Sequence, residues 1–137
     1  MNHRCRIPLF FTLLLCVAVT LSGCGKTPLT LTQTSDNGLF TITFHAPDTP
    51  GKGRNSATIT VVDKEGAPVA GLTIAITPWM PTMKHGTMVV PKVRDTGGGN
   101  YTVDYALTMN GFWQLKMALA GNGAADTAIL ELHNVGK

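Results

Sequence analysis

Beyond its first two dozen residues the chain has no cysteine. Its three are Cys5, Cys16 and Cys24; the first two fall in an N-terminal apolar segment and the third directly after it. No disulfide staples the remainder, so its stability must come from a core. Any soft metal ligand there has to be something other than thiolate. Charge is sparse at 14% of residues, and no Lys/Arg cluster marks a nucleic-acid site or an anionic membrane surface. No Gly-x-Ser-x-Gly and no two-histidine zinc-protease motif occurs, and the eight carboxylates are scattered singly. Without a nucleophile beside its base, the sequence points away from an enzyme. Gly97-Gly98-Gly99 has no helix after it to hold phosphate, which leaves it a hairpin turn.

What is present begins with three zones. Arg4 and Arg6 form a short basic region, Ile7 to Thr20 is almost continuously apolar, and Leu21-Ser22-Gly23-Cys24 follows. A basic flank, an apolar run and small residues before a cut are the requirements of a secretory signal. The last four residues resemble the lipobox of bacterial lipoproteins, in which the cysteine is acylated and the chain is cut just before it. The alternative is a retained membrane helix, but the run is near the lower limit for spanning a bilayer and no charged stop follows. The expected organisation is therefore a signal peptide over 1–23, a lipidated Cys24 with a flexible tether over 24–37, and a domain over 38–137. Gly25 after the cysteine, in place of Asp, favours the outer membrane if the host has two. Removing Arg4 and Arg6 from the 11 basic residues leaves nine against eight acidic ones, so the processed chain is nearly neutral. The Thr-, Ser- and Gln-rich tether would reach on the order of 40 Å if extended.

Inside the domain the dominant period is two. Phe40, Ile42 and Phe44 alternate with Thr41, Thr43 and His45, and the same holds for Ile59–Val61, Leu72–Ile76, Tyr101–Leu107 and Trp113–Leu119. A last strand covers about 127–133. Alternation of this kind gives strands with one face buried and one wet. Turn signals lie between them at 47–53, Lys64–Pro68, Gly97–Asn100, Asn110-Gly111 and Gly121–Gly123. No stretch of the domain has a helical period. About seven short strands in about 100 residues predict an all-β, immunoglobulin-like antiparallel β-sandwich.

One segment breaks the pattern: Pro78-Trp79-Met80-Pro81-Thr82-Met83-Lys84-His85-Gly86-Thr87-Met88. Two prolines predict an excursion from regular pairing. It holds three of the six methionines. Thioether sulfur is soft and suits Cu(I), while imidazole binds Cu(I), Cu(II) and Zn. If the chain is extended after Pro81, Met83 and His85 project to one side and Met88 to the other, towards the core beside Val90. The candidate ligands rank as Met83 and His85, then Met80, then Met88, with His45, Met109 or His133 completing the set. The competing expectation is structural: Trp79 and the methionines plug one end of the sandwich, and His85 is hydrogen-bonded at Gly86.

Met80-Pro81-Thr82-Met83-Lys84-His85-Gly86, then Gly99-Asn100-Tyr101, then Met109-Asn110-Gly111-Phe112-Trp113 together resemble the YtkA-like domain family and the related FixH proteins. The resemblance spans about Phe40 to His133. It implies an immunoglobulin-like β-sandwich in a membrane-attached, extracytoplasmic protein, and association with copper handling, heavy-metal efflux or cytochrome oxidase assembly. Met80, Met83 and His85 match the first motif, and Met109, Gly111 and Trp113 the last. FixH proteins keep a membrane helix where this chain has a lipobox. Two functions from different classes follow: a non-catalytic lipoprotein that binds or transfers copper, Cu(I) above all, and an interaction module whose apolar loop around Trp79 docks onto an envelope efflux or respiratory complex.

Overall fold

The computed structural model describes residues 27–136; the expected signal peptide and the lipidated Cys24 lie outside them. Nine strands run in chain order: β1 (Leu29–Thr34), β2 (Phe40–Ala46), β3 (Gly53–Asp63), β4 (Thr73–Met80), β5 (His85–Gly86), β6 (Lys92–Gly97), β7 (Asn100–Leu107), β8 (Gly111–Gly121) and β9 (Ala124–Val135). They form a five-stranded sheet in the order β1-β2-β3-β7-β6 and a four-stranded sheet in the order β5-β4-β8-β9, with all pairings antiparallel. The all-β sandwich expected from the alternation is what forms, with nine strands in place of seven.

Alternation sets which face is buried. Ile42, Phe44, Ile59, Val61, Tyr101, Val103 and Leu107 of the first sheet meet Ile74, Ile76, Trp113, Leu115, Met117, Leu119, Leu130 and Leu132 of the second in one core. Phe44 and Tyr105 meet edge to face at 6.1 Å between centroids, a favoured geometry for the ring quadrupoles. The crossover from β3 to β4 is tied to the first sheet by Tyr101, whose hydroxyl donates to the Val69 carbonyl (2.8 Å) and accepts from the Leu72 amide (3.1 Å).

The first departure from expectation is β1. Leu29–Thr34, placed in the tether by its polar composition, is a strand paired residue for residue with β2 from Leu29↔Ala46 to Thr34↔Thr41. As the last strand of its sheet it needs only one modestly apolar face, which the half-buried Leu29 and Leu31 supply. Even Thr27 is engaged, its carbonyl accepting from the Thr49 hydroxyl at 2.8 Å.

β1 and β9 close one side of the sandwich. The Asp36 amide donates to the Thr127 carbonyl (2.7 Å), and the Thr127 hydroxyl donates to the Asp36 carboxylate. The buried Asp126 carboxylate accepts from the Asn37 amide, the Asn37 side chain and the Leu39 amide at 2.8–3.3 Å. Burial alone would raise its pKa, but the hydrogen bonds from Ser35, Thr127 and Asn37 prevail and hold it well below the ordinary carboxylate range.

Candidate functional site

The Met/His segment is a hairpin and not an excursion. Pro78 lies inside β4, opposite Leu115 of β8. Proline is tolerated in a strand with a nearly open edge, and β5 covers that edge with only two residues. Trp79↔Gly86 and Met80↔His85 are the paired positions. Gly86 is required by space: a Cβ there would stand 2.7 Å from the Pro78 carbonyl oxygen. Between the strands the Met80 carbonyl accepts from the Met83 amide (3.2 Å) and that of Pro81 from the Lys84 amide (3.3 Å). Lys84 sits in the left-handed region at φ 53°.

That turn corrects the expectation of an extended chain after Pro81. With a left-handed residue between them, Met83 and His85 are not related by strand alternation. The residue that shares a face with His85 is Met80, directly opposite it across the hairpin. Met80 is 3% exposed and belongs to the core. Its Cε lies 3.3 Å from where a Gly111 Cβ would be, and Gly111 has φ 128°.

His85 is half-buried, and its ring meets Trp113 edge-on at 6.5 Å. Its Nδ1 is 3.0 Å from the Gly86 carbonyl oxygen. A carbonyl only accepts, so Nδ1 carries the proton of the neutral ring and the lone pair is on Nε2. Trp113 is fully buried and donates from Nε1 to the Met109 carbonyl (3.0 Å). The half-buried Met109 packs on the same end of the core. At one end of the sandwich Trp113 thus meets the His85 ring and the Met109 carbonyl, with Met80 opposite His85 across the hairpin and Met83 at 57% exposure.

The remaining candidates are elsewhere. Met88 does not turn to the core: it is 99% exposed, and Val90 is 80% exposed. The expectation failed because Thr87–Pro91 connects β5 to β6 across the two sheets and follows neither strand's alternation. His45 is exposed on β2 of the other sheet, hydrogen-bonded through Nδ1 to the Thr30 hydroxyl (2.9 Å). His133 stacks on Phe112 at 4.9 Å between centroids, with Nε2 3.5 Å from Glu131. Trp79 is half-buried with the Lys116 ammonium 4.7 Å above its ring, a cation–π contact. Among the described residues no three His, Cys, Asp or Glu side chains gather as a metal site; a set here must include thioethers.

A family model for YtkA-like proteins matches residues 32–118. The chain belongs to the YtkA-like family. The span matched runs from within β1 through most of β8, so it takes in the Met/His hairpin and the Met109–Trp113 segment and leaves out β9. A comparison with curated proteins finds no match. For this YtkA-like chain, sequence reasoning missed the pairing of Met80 with His85. The signal that finds it is Pro81 followed three residues later by Lys84 and then His85-Gly86, a turn with a glycine on its return arm.

Proposed function

We propose that this protein is an extracytoplasmic lipoprotein, anchored at Cys24, that binds Cu(I) at the β4–β5 hairpin and passes it to an envelope copper-handling, efflux or oxidase-assembly protein. The observation that carries the reading is His85. Its Nδ1 is fixed on the Gly86 carbonyl, its Nε2 lone pair remains, and the Met80 side chain projects from the same face. A backbone acceptor on one imidazole nitrogen orients the other as a ligand.

Copper here is cargo. The donor set fits Cu(I): one imidazole with the thioethers of Met80, Met83 and Met109, all neutral, in a chain whose Cys24 is consumed by the anchor. Met80 and Met109 supply sulfur from the packed side, and Met83 supplies it from the exposed turn, where a recipient reaches the ion first. Met88, His45 and His133 lie outside this set.

The test is Cu(I) competition between the full-length lipoprotein in detergent and a colorimetric Cu(I) chelator. The wild type is expected to retain one Cu(I) per chain. A Met83→Ala, His85→Ala double variant should lose it while keeping a cooperative melt. A wild-type protein that yields all its Cu(I) to the chelator overturns the reading.

A further inference from the structure

The topology collects several features at one end of the sandwich. The start of β1 at Leu29, the β2–β3 loop, the β4–β5 hairpin, the β5–β6 connection and the β7–β8 loop all lie there. The opposite end carries the β1–β2 turn, the β3–β4 crossover and the β6–β7 and β8–β9 turns.

Charge divides along the same axis. Asp36, Asp63, Glu65, Asp95 and Asp126 stand at the far end with Lys64. Lys52, Arg54, Lys84 and Lys92 stand at or near the β1 end with Asp48; Asp104 nearby is paired with Arg94 at 3.0 Å, and Glu131 nearby faces His133 at 3.5 Å. A chain with no basic cluster in sequence therefore has a basic end and an acidic end.

The basic end is also the apolar one. Among the described residues, Met83, Met88, Val89 and Val90 are four of the five exposed large hydrophobic side chains. Beside Val89 and Val90 runs a groove of about 560 Å³ whose cations are Arg54, Lys92 and Arg94. Exposed apolar tips ringed by lysine and arginine are what an anionic bilayer surface takes up, the hydrophobic groups entering the interface and the cations meeting the headgroups.

Chain length supplies the rest. The tether expected to hold the domain on the order of 40 Å away is mostly used by β1. From Cys24 to Thr27, whose carbonyl is held by the Thr49 hydroxyl, a three-residue span reaches at most ~10 Å. We infer that the β1 end lies on the membrane: Met88, Val89 and Val90 enter the lipid interface, Arg54, Lys84 and Lys92 contact anionic headgroups, and the acidic end points away. This rests on lipidation of Cys24 as proposed above.

The test uses the full-length lipoprotein, reconstituted in vesicles of phosphatidylethanolamine and phosphatidylglycerol. An environment-sensitive fluorophore is attached at Met88→Cys or, at the far end, at Glu65→Cys. Lipid-borne quenchers should quench the label at position 88 at least about threefold more than that at position 65, with a blue-shifted emission at 88 alone. Replacing phosphatidylglycerol by phosphatidylcholine, or introducing Lys84→Glu with Lys92→Glu, should reduce the difference. Equal quenching at the two positions overturns the inference, as does shielding of position 88 only when a second membrane protein is added. Mass spectrometry of the N-terminal peptide separates the two readings. An unacylated chain removes the anchor, whereas an acylated chain with a water-exposed position 88 removes only the orientation.

Discussion

Met80 packs in the core and is also a ligand in the proposed Cu(I) site, and the two roles separate by substitution. Its side chain is 3% exposed and closes the core beside Gly111. Truncation of a buried methionine to alanine costs about 2–5 kcal/mol, depending on how far the site collapses. Met80 borders a hairpin with a two-residue outer strand, so the wall can move inwards and the lower half of that range applies, about 2–3 kcal/mol. The 110 described residues correspond to an unfolding entropy of roughly 0.23 kcal/mol/K. Met80→Ala should therefore lower Tm by about 10 °C. Met83→Ala, at an exposed turn, should change stability by less than about 0.5 kcal/mol and Tm by about 2 °C at most. Met80→Leu conserves volume and removes only the sulfur, so it should cost under about 1.5 kcal/mol while weakening Cu(I) retention. Calorimetric melts of the full chain, paired with the chelator competition, measure both quantities. Equal destabilisation by Met83→Ala and Met80→Ala refutes the packing argument. Undiminished Cu(I) retention by Met80→Leu confines Met80 to packing.

Two further outcomes follow from buried polar groups. The hydrogen bonds to Asp126 hold its pKa below that of the unfolded chain, so its stabilising contribution is fully present above about pH 4–5 and is lost as pH falls through the folded value. The Tm advantage of wild type over Asp126→Asn should be constant near neutrality and shrink below about pH 4; a gap that widens on acidification contradicts the assignment. The Tyr105 hydroxyl is buried with no partner among the described residues, and burial pushes its pKa up. Tyr105→Phe should therefore leave stability unchanged or raise it by up to about 1 kcal/mol, and a loss beyond that in a urea melt would show that the hydroxyl is satisfied.

Most of the fold was legible because period-two alternation is a direct imprint of a two-faced sheet. Phe40, Ile42, Phe44, Trp113, Leu115 and Leu119 all face the core as their spacing requires. The failures cluster where another constraint acts. β1 carries Thr30, Thr32, Gln33 and Thr34 because an outermost strand wets most of its surface, and composition then reads as a linker. Pro78 suggested a break, but one nearly open edge is enough to admit it. Alternation predicts an inward Met88, but Thr87–Pro91 crosses between the two sheets and follows neither strand's alternation. For the site, the residue types were readable and their partnership was not. Met80 and His85 are five positions apart, and only the hairpin register sets them opposite each other.

The sandwich has one latched side and one unlatched side. Along β1 and β9, Asp36, Asn37, Asp126 and Thr127 fasten the two sheets through backbone and carboxylate together. Along the other side β5 offers two residues and β6 begins only after an exposed connection. Amide exchange should divide accordingly: protons near Thr127 leave only when the whole domain unfolds, whereas those near His85 leave by a local breathing motion whose cost is small. If the proposed Cu(I) site is at the hairpin, an ion taken up or surrendered there would cross a barrier decoupled from global stability, and the domain could hold its shape while that exchange turned over far faster.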